Sequence, residues 1–221
     1  MDVRNPLPFT IVEGAVANPM VLASALRPLL TPHPVPQSDP RTRGLMVEIS
    51  GGSDDLAWLQ TAIPPLGELM VRFMGDAGAI YLLAVNETPP TDPESFLMRP
   101  HVDRRWMPNG FNTAHPLWTN VIFLDFPNSG RGGELVVFPK DAFDDDAGVA
   151  RDRARQTVMD RQGRMIAPRP GAACRMAGDL PHAVLGYSAN PDDVWRLAVV
   201  LAEFNRSLTG PPPCRRIYSP S

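Results

Sequence analysis

Trp195-Arg196-Leu197-Ala198-Val199-Val200-Leu201-Ala202-Glu203-Phe204 is the stretch whose reading decides the fold. It reads as a β-strand entered from the turn-forming Asn190-Pro191-Asp192-Asp193, and alternation along a strand puts Arg196, Ala198, Val200 and Ala202 on one face. Working outward from it, four more short β-type runs are predicted at residues 80–85, 119–126, 134–138 and 172–176, separated by Gly, Pro, Asn and Asp. The texture before residue 79 differs. Asn18 as a cap, Pro19 at the first helical position and Leu22, Leu26 and Leu29 on one face predict a short helix over 18–30. Ser53-Asp54-Asp55 predicts a second helix start, whose apolar face (Leu56, Leu59, Ile63) runs until Pro64-Pro65; a third helical piece follows at 66–74. Helices first and strands afterwards favour a mainly β sheet or barrel backed by N-terminal helices over alternating βαβ units, which argues against a dinucleotide-binding fold. The 221 residues suit one domain, with helical support over 1–78, a β core over 79–206 and a tail over 207–221.

Composition narrows the function classes. With 43% hydrophobic and 20% charged residues the chain is built to fold. A net charge of -3 and a pI near 5.8 offer no general attraction to phosphate backbones, so nucleic acid is not the expected partner. Cys174 and Cys214 form no C-x-x-C pair, no run is apolar enough to span a bilayer, and residues 1–8 do not resemble a signal peptide. These features suit a cytoplasmic protein with a small-molecule partner. Prolines crowd residues 31–40, making a loop around His33 that connects elements or covers a site. Residues 144–164 read as a charged, weakly helical insertion.

His101 and Asp103 are one residue apart, so on an extended backbone both side chains project from one face and can share a metal ion. The pair alone is a weak signal, and His182 supplies a third ligand. Two His and one carboxylate form the facial set preferred by non-haem iron(II), which leaves three coordination positions open on one side. Two of these can hold a bidentate keto acid, and one can receive O2. A keto diacid needs a permanently charged, planar partner for its distal carboxylate; Arg196 is the candidate. A lone charge beginning an apolar strand also suits a strand end facing water.

These residues stand in a wider pattern: Pro100-His101-Val102-Asp103, then Asn120-Val121-Ile122-Phe123-Leu124, Gly132-Gly133-Glu134 leading to Phe138-Pro139, Pro170-Gly171, and His182-Ala183-Val184 through Arg196. In that order, over about residues 80–205, the chain resembles the 2-oxoglutarate and iron(II)-dependent dioxygenases, in particular the prolyl 4-hydroxylase-like branch. The resemblance implies a double-stranded β-helix (a jelly-roll, cupin-like barrel). It further implies iron(II) held by His101, Asp103 and His182, with 2-oxoglutarate held by Arg196. It implies oxidative decarboxylation of 2-oxoglutarate to succinate, coupled to hydroxylation of a substrate such as a free amino acid or a natural-product intermediate. That branch often carries Lys for the distal carboxylate where this chain has Arg196, which leaves the sub-branch loose. Asp103 separates the chain from similar halogenases, whose carboxylate is replaced by a small residue. Alternatives at this stage are a peptide or protein hydroxylase of the same family, a cupin-like dioxygenase that does without 2-oxoglutarate and need not keep Arg196, and a metal-dependent binding module.

Further residues are candidates by position. Arg104, Arg105, Trp106 and Trp118 are expected to contact substrate; Asn120 and Tyr81 are expected to contact the cosubstrate. His115 is expected to be structural, and Gly132-Gly133-Glu134 to form a hairpin turn.

Overall fold

The computed structural model describes residues 9–32, 41–106, 113–143, 163–205 and 216–218. The expectations for His33 and its loop, for the insertion up to residue 162 and for Cys214 lie outside the described residues. In chain order the elements are β1 (Phe9–Val12), α1 (Pro19–Leu26) with a tight turn at Arg27–Leu29, β2 (Thr31–Pro32), β3 (Arg43–Ser50), α2 (Ser53–Ala62) and α3 (Pro64–Phe73). There follow β4 (Ile80–Thr88), β5 (Phe96–His101), β6 (Arg105–Trp106), β7 (Thr113–Ala114), β8 (Trp118–Asp125), β9 (Arg131–Gly132) and β10 (Leu135–Val137). The last are β11 (Arg164–Ile166), β12 (Ala173–Ala177), β13 (His182–Leu185), β14 (Tyr187–Ser188), β15 (Arg196–Phe204) and β16 (Arg216–Tyr218).

β15, the stretch read first, lies at the centre of an eight-stranded antiparallel sheet of order β1-β12-β8-β15-β4-β3-β16, with β2 on the side of β3. A four-stranded sheet, β11-β10-β13-β5, faces it. Leu135, Val137 and Val184 of the small sheet pack with Val121, Phe123, Cys174 and Met176 of the large one in a single apolar cluster. The opposite face of the large sheet carries Val47, Leu83, Ile122, Val199 and Leu201, which bury Leu26, Leu59, Leu66, Leu69 and Met70 of the three helices. This is the mainly β, helix-backed barrel expected.

Four readings change. The large sheet takes β1, β2 and β3 from before residue 79 and β16 from beyond residue 206, so the β core is not confined to 79–206 and the N-terminal part is not helical support alone. Asn18 begins α1 through its carbonyl, which accepts from Val21 and Leu22, and not through a side-chain cap. The tight turn at Arg27–Leu29 rotates Leu29 off the buried face, to 43% exposure. Gly132-Gly133-Glu134 is not a hairpin turn: β9 and β10 form one interrupted arm paired with β14 and β13. The two glycines have positive φ, and a Cβ at Gly132 would lie 2.5 Å from the Gly186 carbonyl, so the close crossing requires glycine.

An ionic network fixes one end of the large sheet. Arg27 at the end of α1 reaches Glu87 (2.7 Å), Asp125 (2.8 Å) and the carbonyl of Trp195 (2.9 Å), and Arg43 binds the other Glu87 oxygen. Burial lowers the Arg27 pKa most, but the bonds to Asp125 and Glu87 outweigh it and the net shift is upward. The helical layer is thereby held where β4, β8 and β15 present Thr88, Asp125 and Arg196.

Candidate metal and anion site

His101 ends β5 and His182 begins β13, and the two are register partners across that ladder. Their rings lie 4.3 Å apart, centre to centre. Asp103, just past β5, brings Oδ1 to 3.6 Å from His101 Nε2 and 3.8 Å from His182 Nε2. One ligand atom from each residue therefore fits within a 4.8 Å span. His182 is buried, whereas the His101 and Asp103 side chains keep 32% and 22% exposure, so the cluster opens on that side.

The surrounding bonds orient each donor. A carbonyl can only accept, so His101 Nδ1–H donates to Arg99 O (2.8 Å) and His182 Nδ1–H to Leu180 O (3.0 Å). Both Nε2 lone pairs are left facing the cluster, an arrangement typical of metal-ligating histidines. Thr119 on β8 donates to Asp103 Oδ2 at 3.0 Å, which leaves Oδ1 turned toward the two imidazoles. His115 Nδ1 meets the Asp103 carbonyl at 3.1 Å, a positioning contact.

The electrostatics follow from burial and crowding. Burial pulls the His182 pKa down, the neighbouring His101 lowers it further, and it falls to about 4. For His101 burial also lowers the pKa most, but the bond and charge of Asp103 outweigh it and the net shift is upward. Burial raises the Asp103 pKa, yet the two imidazoles and Thr119 overcome it and the carboxyl lies below its usual range. Two imidazoles in contact resist double protonation, while a carboxylate between them favours a cation.

Arg196 sits elsewhere in the same interior. Thr119, Val121 and Phe123 share the inner face of β8, and the Arg196 guanidinium lies 5.8 Å from the Phe123 ring centre. Thr119 and Phe123 are separated by about 13 Å of strand, at about 3.3 Å per residue. Arg196 is only 4% exposed, its Nε has no hydrogen-bond partner, and among the described residues no carboxylate pairs with it. Burial pulls its pKa down to about 10. Directly opposite on β4, Thr88 Oγ1 is also buried without a partner. Tyr187 ties the two strands together, its hydroxyl donating to Thr88 O (2.6 Å) and accepting from Arg196 N (3.0 Å). A buried cation and a buried hydroxyl, both unsatisfied and side by side, form an incomplete anion site.

The other sequence candidates are not brought to this interior. Alternation on β4 and β8 points Tyr81, Trp118 and Asn120 to the opposite face of the large sheet. Tyr81 is fully buried there, bonded to Asp76 and Gly75, and Trp118 stacks under Arg175 at 4.8 Å. That parity places all three, expected as cosubstrate or substrate contacts, on the face of the sheet away from His101, Asp103, His182 and Arg196. Arg104 is exposed beside Asp103. Arg105 and Trp106 form β6, paired with β7, and the roles expected of their side chains lie outside what is described. Thr119, Thr88 and Tyr187 were not singled out from sequence. Thr119 was within reach, since parity puts it on the face opposite Asn120.

No family model matches the chain, and no curated protein matches it. Solved structures do. A prolyl-4-hydroxylase from Pseudomonas putida aligns over 91% of this chain and 94% of its own, with a TM-score of 0.51 and 16% identity. An oxidoreductase of the 2OG-Fe(II) oxygenase family from Burkholderia pseudomallei aligns over 89% and 85%, with a TM-score of 0.50 and 18% identity. A rice dioxygenase for auxin oxidation aligns over 89% and 73%, with a TM-score of 0.53 and 12% identity. At these identities the likeness is one of fold: the double-stranded β-helix.

Proposed function

We propose that the chain is an iron(II)- and 2-oxoglutarate-dependent dioxygenase that hydroxylates a small molecule, such as a free amino acid or a natural-product intermediate. The observation that carries this is Arg196, a buried guanidinium without a counter-ion beside the unsatisfied Thr88 hydroxyl, in the same interior as a His-Asp-His cluster. A simple metal-binding barrel gives no reason to bury such a charge uncompensated. A dicarboxylate that chelates the metal at one end and meets Arg196 at the other supplies one.

The residues fit these groups. Two imidazole Nε2 atoms and one carboxylate oxygen, all within 4.8 Å of one another, are the donor set for iron(II) with open positions. Bound iron would supply the redox chemistry that couples O2 to oxidative decarboxylation of the keto acid and oxidation of substrate. His101, Asp103 and His182 would hold it. The Leu180 and Arg99 carbonyls keep the histidines in the ligating tautomer, and Thr119 keeps Asp103 from rotating. Arg196 and Thr88 would orient the distal carboxylate through charge-assisted bonds. Phe123, Val121 and Ala198 line an apolar wall that excludes water. Substrate would approach from the side where His101 and Asp103 are exposed. A reducing, cytoplasmic setting agrees with iron(II) and with the buried free thiol of Cys174.

Succinate formation tests this reading. Purified protein with iron(II), 2-oxoglutarate and O2 is expected to release succinate slowly alone and faster with the right member of a panel of amino acids and acidic metabolites. If only prolyl peptides accelerate it, the substrate class changes to peptide and the cofactor assignment stands. If O2 is consumed with another substrate and no succinate forms, the 2-oxoglutarate assignment fails.

A further inference from the structure

Asn120 does not serve the interior, and its surroundings on the other face are unusual. A cavity of about 270 Å³ lies between β1, β8, β12 and the end of α3, lined by Val12, Ala15, Arg72, Phe73, Met74, Asn120, Ala173 and Arg175. We propose that this cavity is a second ligand site, separate from the metal cluster, that binds a small organic carboxylate with an apolar body.

Three features carry the proposal. Asn120 is 1% exposed, lines the cavity, and its Nδ2 has no hydrogen-bond partner. Such a donor costs free energy until something accepts from it. Two guanidiniums, from Arg72 at the C-terminal end of α3 and Arg175 on β12, share the lining, and among the described residues neither forms an ion pair. Arg175 is braced over the Trp118 ring, which limits its freedom to turn away. Glu203 shares this side of the sheet and its carboxylate feels the Arg175 charge, but no ion pair forms between them; the carboxylate packs instead against Gly75, within 2.6 Å of where a Cβ there would stand. Two cations and an amide donor select an anionic acceptor group.

The remaining walls select the body. Val12, Ala15, Phe73, Met74 and Ala173 are apolar, and Val12 keeps 46% exposure at the rim. An inorganic anion would leave them uncovered. The volume falls just below the usual range for ligand pockets, about 300 to 1,000 Å³, so the ligand is small. The site is also distinct by parity: Asn120 faces this cavity, and its neighbour Thr119 faces Asp103 through the sheet. It stands whether or not the metal cluster works as proposed.

Calorimetric titration of the full-length, metal-free protein with phenylacetate tests it, using acetate and 2-phenylethanol as probes lacking the body and the charge. Saturable one-to-one binding of phenylacetate is expected, about tenfold or more tighter than either comparison probe. Arg72→Gln, an exposed change that leaves packing intact, and Arg175→Gln should each weaken it by about tenfold. Asn120→Asp, nearly isosteric but negatively charged, should abolish it, while Arg196→Ala should leave it unchanged. The proposal is overturned if phenylacetate shows no saturable binding, if Arg72→Gln and Arg175→Gln bind it as wild type does, or if Arg196→Ala eliminates binding and so places the ligand in the interior.

Discussion

Replacing Arg196 with Met separates a ligand-holding charge from a structural one. Met keeps most of the length of the side chain and removes the charge. The native guanidinium is 4% exposed, has an orphaned Nε, and has its pKa pulled down to about 10 by burial. That depression corresponds to roughly 3 kcal/mol of unrelieved desolvation. A hydrophobic substitute of similar size should therefore leave the ligand-free protein as stable as wild type, or more stable by about 1 to 3 kcal/mol. The same substitution removes the counter-charge for the distal carboxylate, and a loss of about 3 kcal/mol weakens 2-oxoglutarate by about a hundredfold. At a ligand concentration about a hundred times the wild-type Kd, wild type gains about 2.7 kcal/mol and the variant about 0.4 kcal/mol. Urea unfolding without O2, with and without 2-oxoglutarate and a divalent metal, measures both effects. Pyruvate, which has the keto acid but no distal carboxylate, should stabilise the two proteins equally. The reasoning is refuted if ligand-free Arg196→Met loses several kcal/mol, which would reveal a structural partner, or if 2-oxoglutarate stabilises both proteins alike.

Two further outcomes follow from the cluster. Thr119→Val keeps the volume of a fully buried side chain but frees Asp103 Oδ2, so metal affinity should fall by about 10- to 100-fold with little change in fold, as read by competition with a chelating dye. In chelator, stability should fall as pH drops from 6.5 toward 4, because the unfolded chain takes up the His182 proton first while the folded imidazole, at about 4, resists it. The ceiling of that loss is about 3 kcal/mol. His101 works in the opposite sense: its raised pKa contributes stability below 6.5 that is lost as pH rises through its folded value. Urea unfolding across this range should show a positive pH slope that His182→Gln flattens; an unchanged slope would show that burial of His182 does not govern acid sensitivity.

The sequence was most legible where side-chain chemistry and backbone period coincide. Residues 119–126 and 195–204 are dense in β-branched and apolar residues, and the strands lie at Trp118–Asp125 and Arg196–Phe204. His101 and His182 stood out because the chain has only 4 His, and the β5–β13 register brings them together with Asp103 just past β5. What stayed hidden depends on partners distant in sequence. β3 is an eight-residue strand of mixed polarity stabilised by pairing residue for residue with β4, which local pattern before residue 79 does not declare. Tyr81, Trp118 and Asn120 were placed on suitable strands, but the face each presents depends on a parity that no local pattern declared. Thr88 and Tyr187 matter only through Arg196, which is their neighbour across β4 and β14 and not along the chain.

Anaerobic titration of the iron(II)-loaded protein with 2-oxoglutarate tests the central claim most directly, since a keto acid chelating iron(II) produces a visible metal-to-ligand charge-transfer band. The band is expected to saturate at one equivalent in wild type and to be absent in the His101→Ala/His182→Ala double variant, which lacks both imidazoles of the cluster. Iron bound to the wild-type protein with no such band at any 2-oxoglutarate concentration would contradict the account.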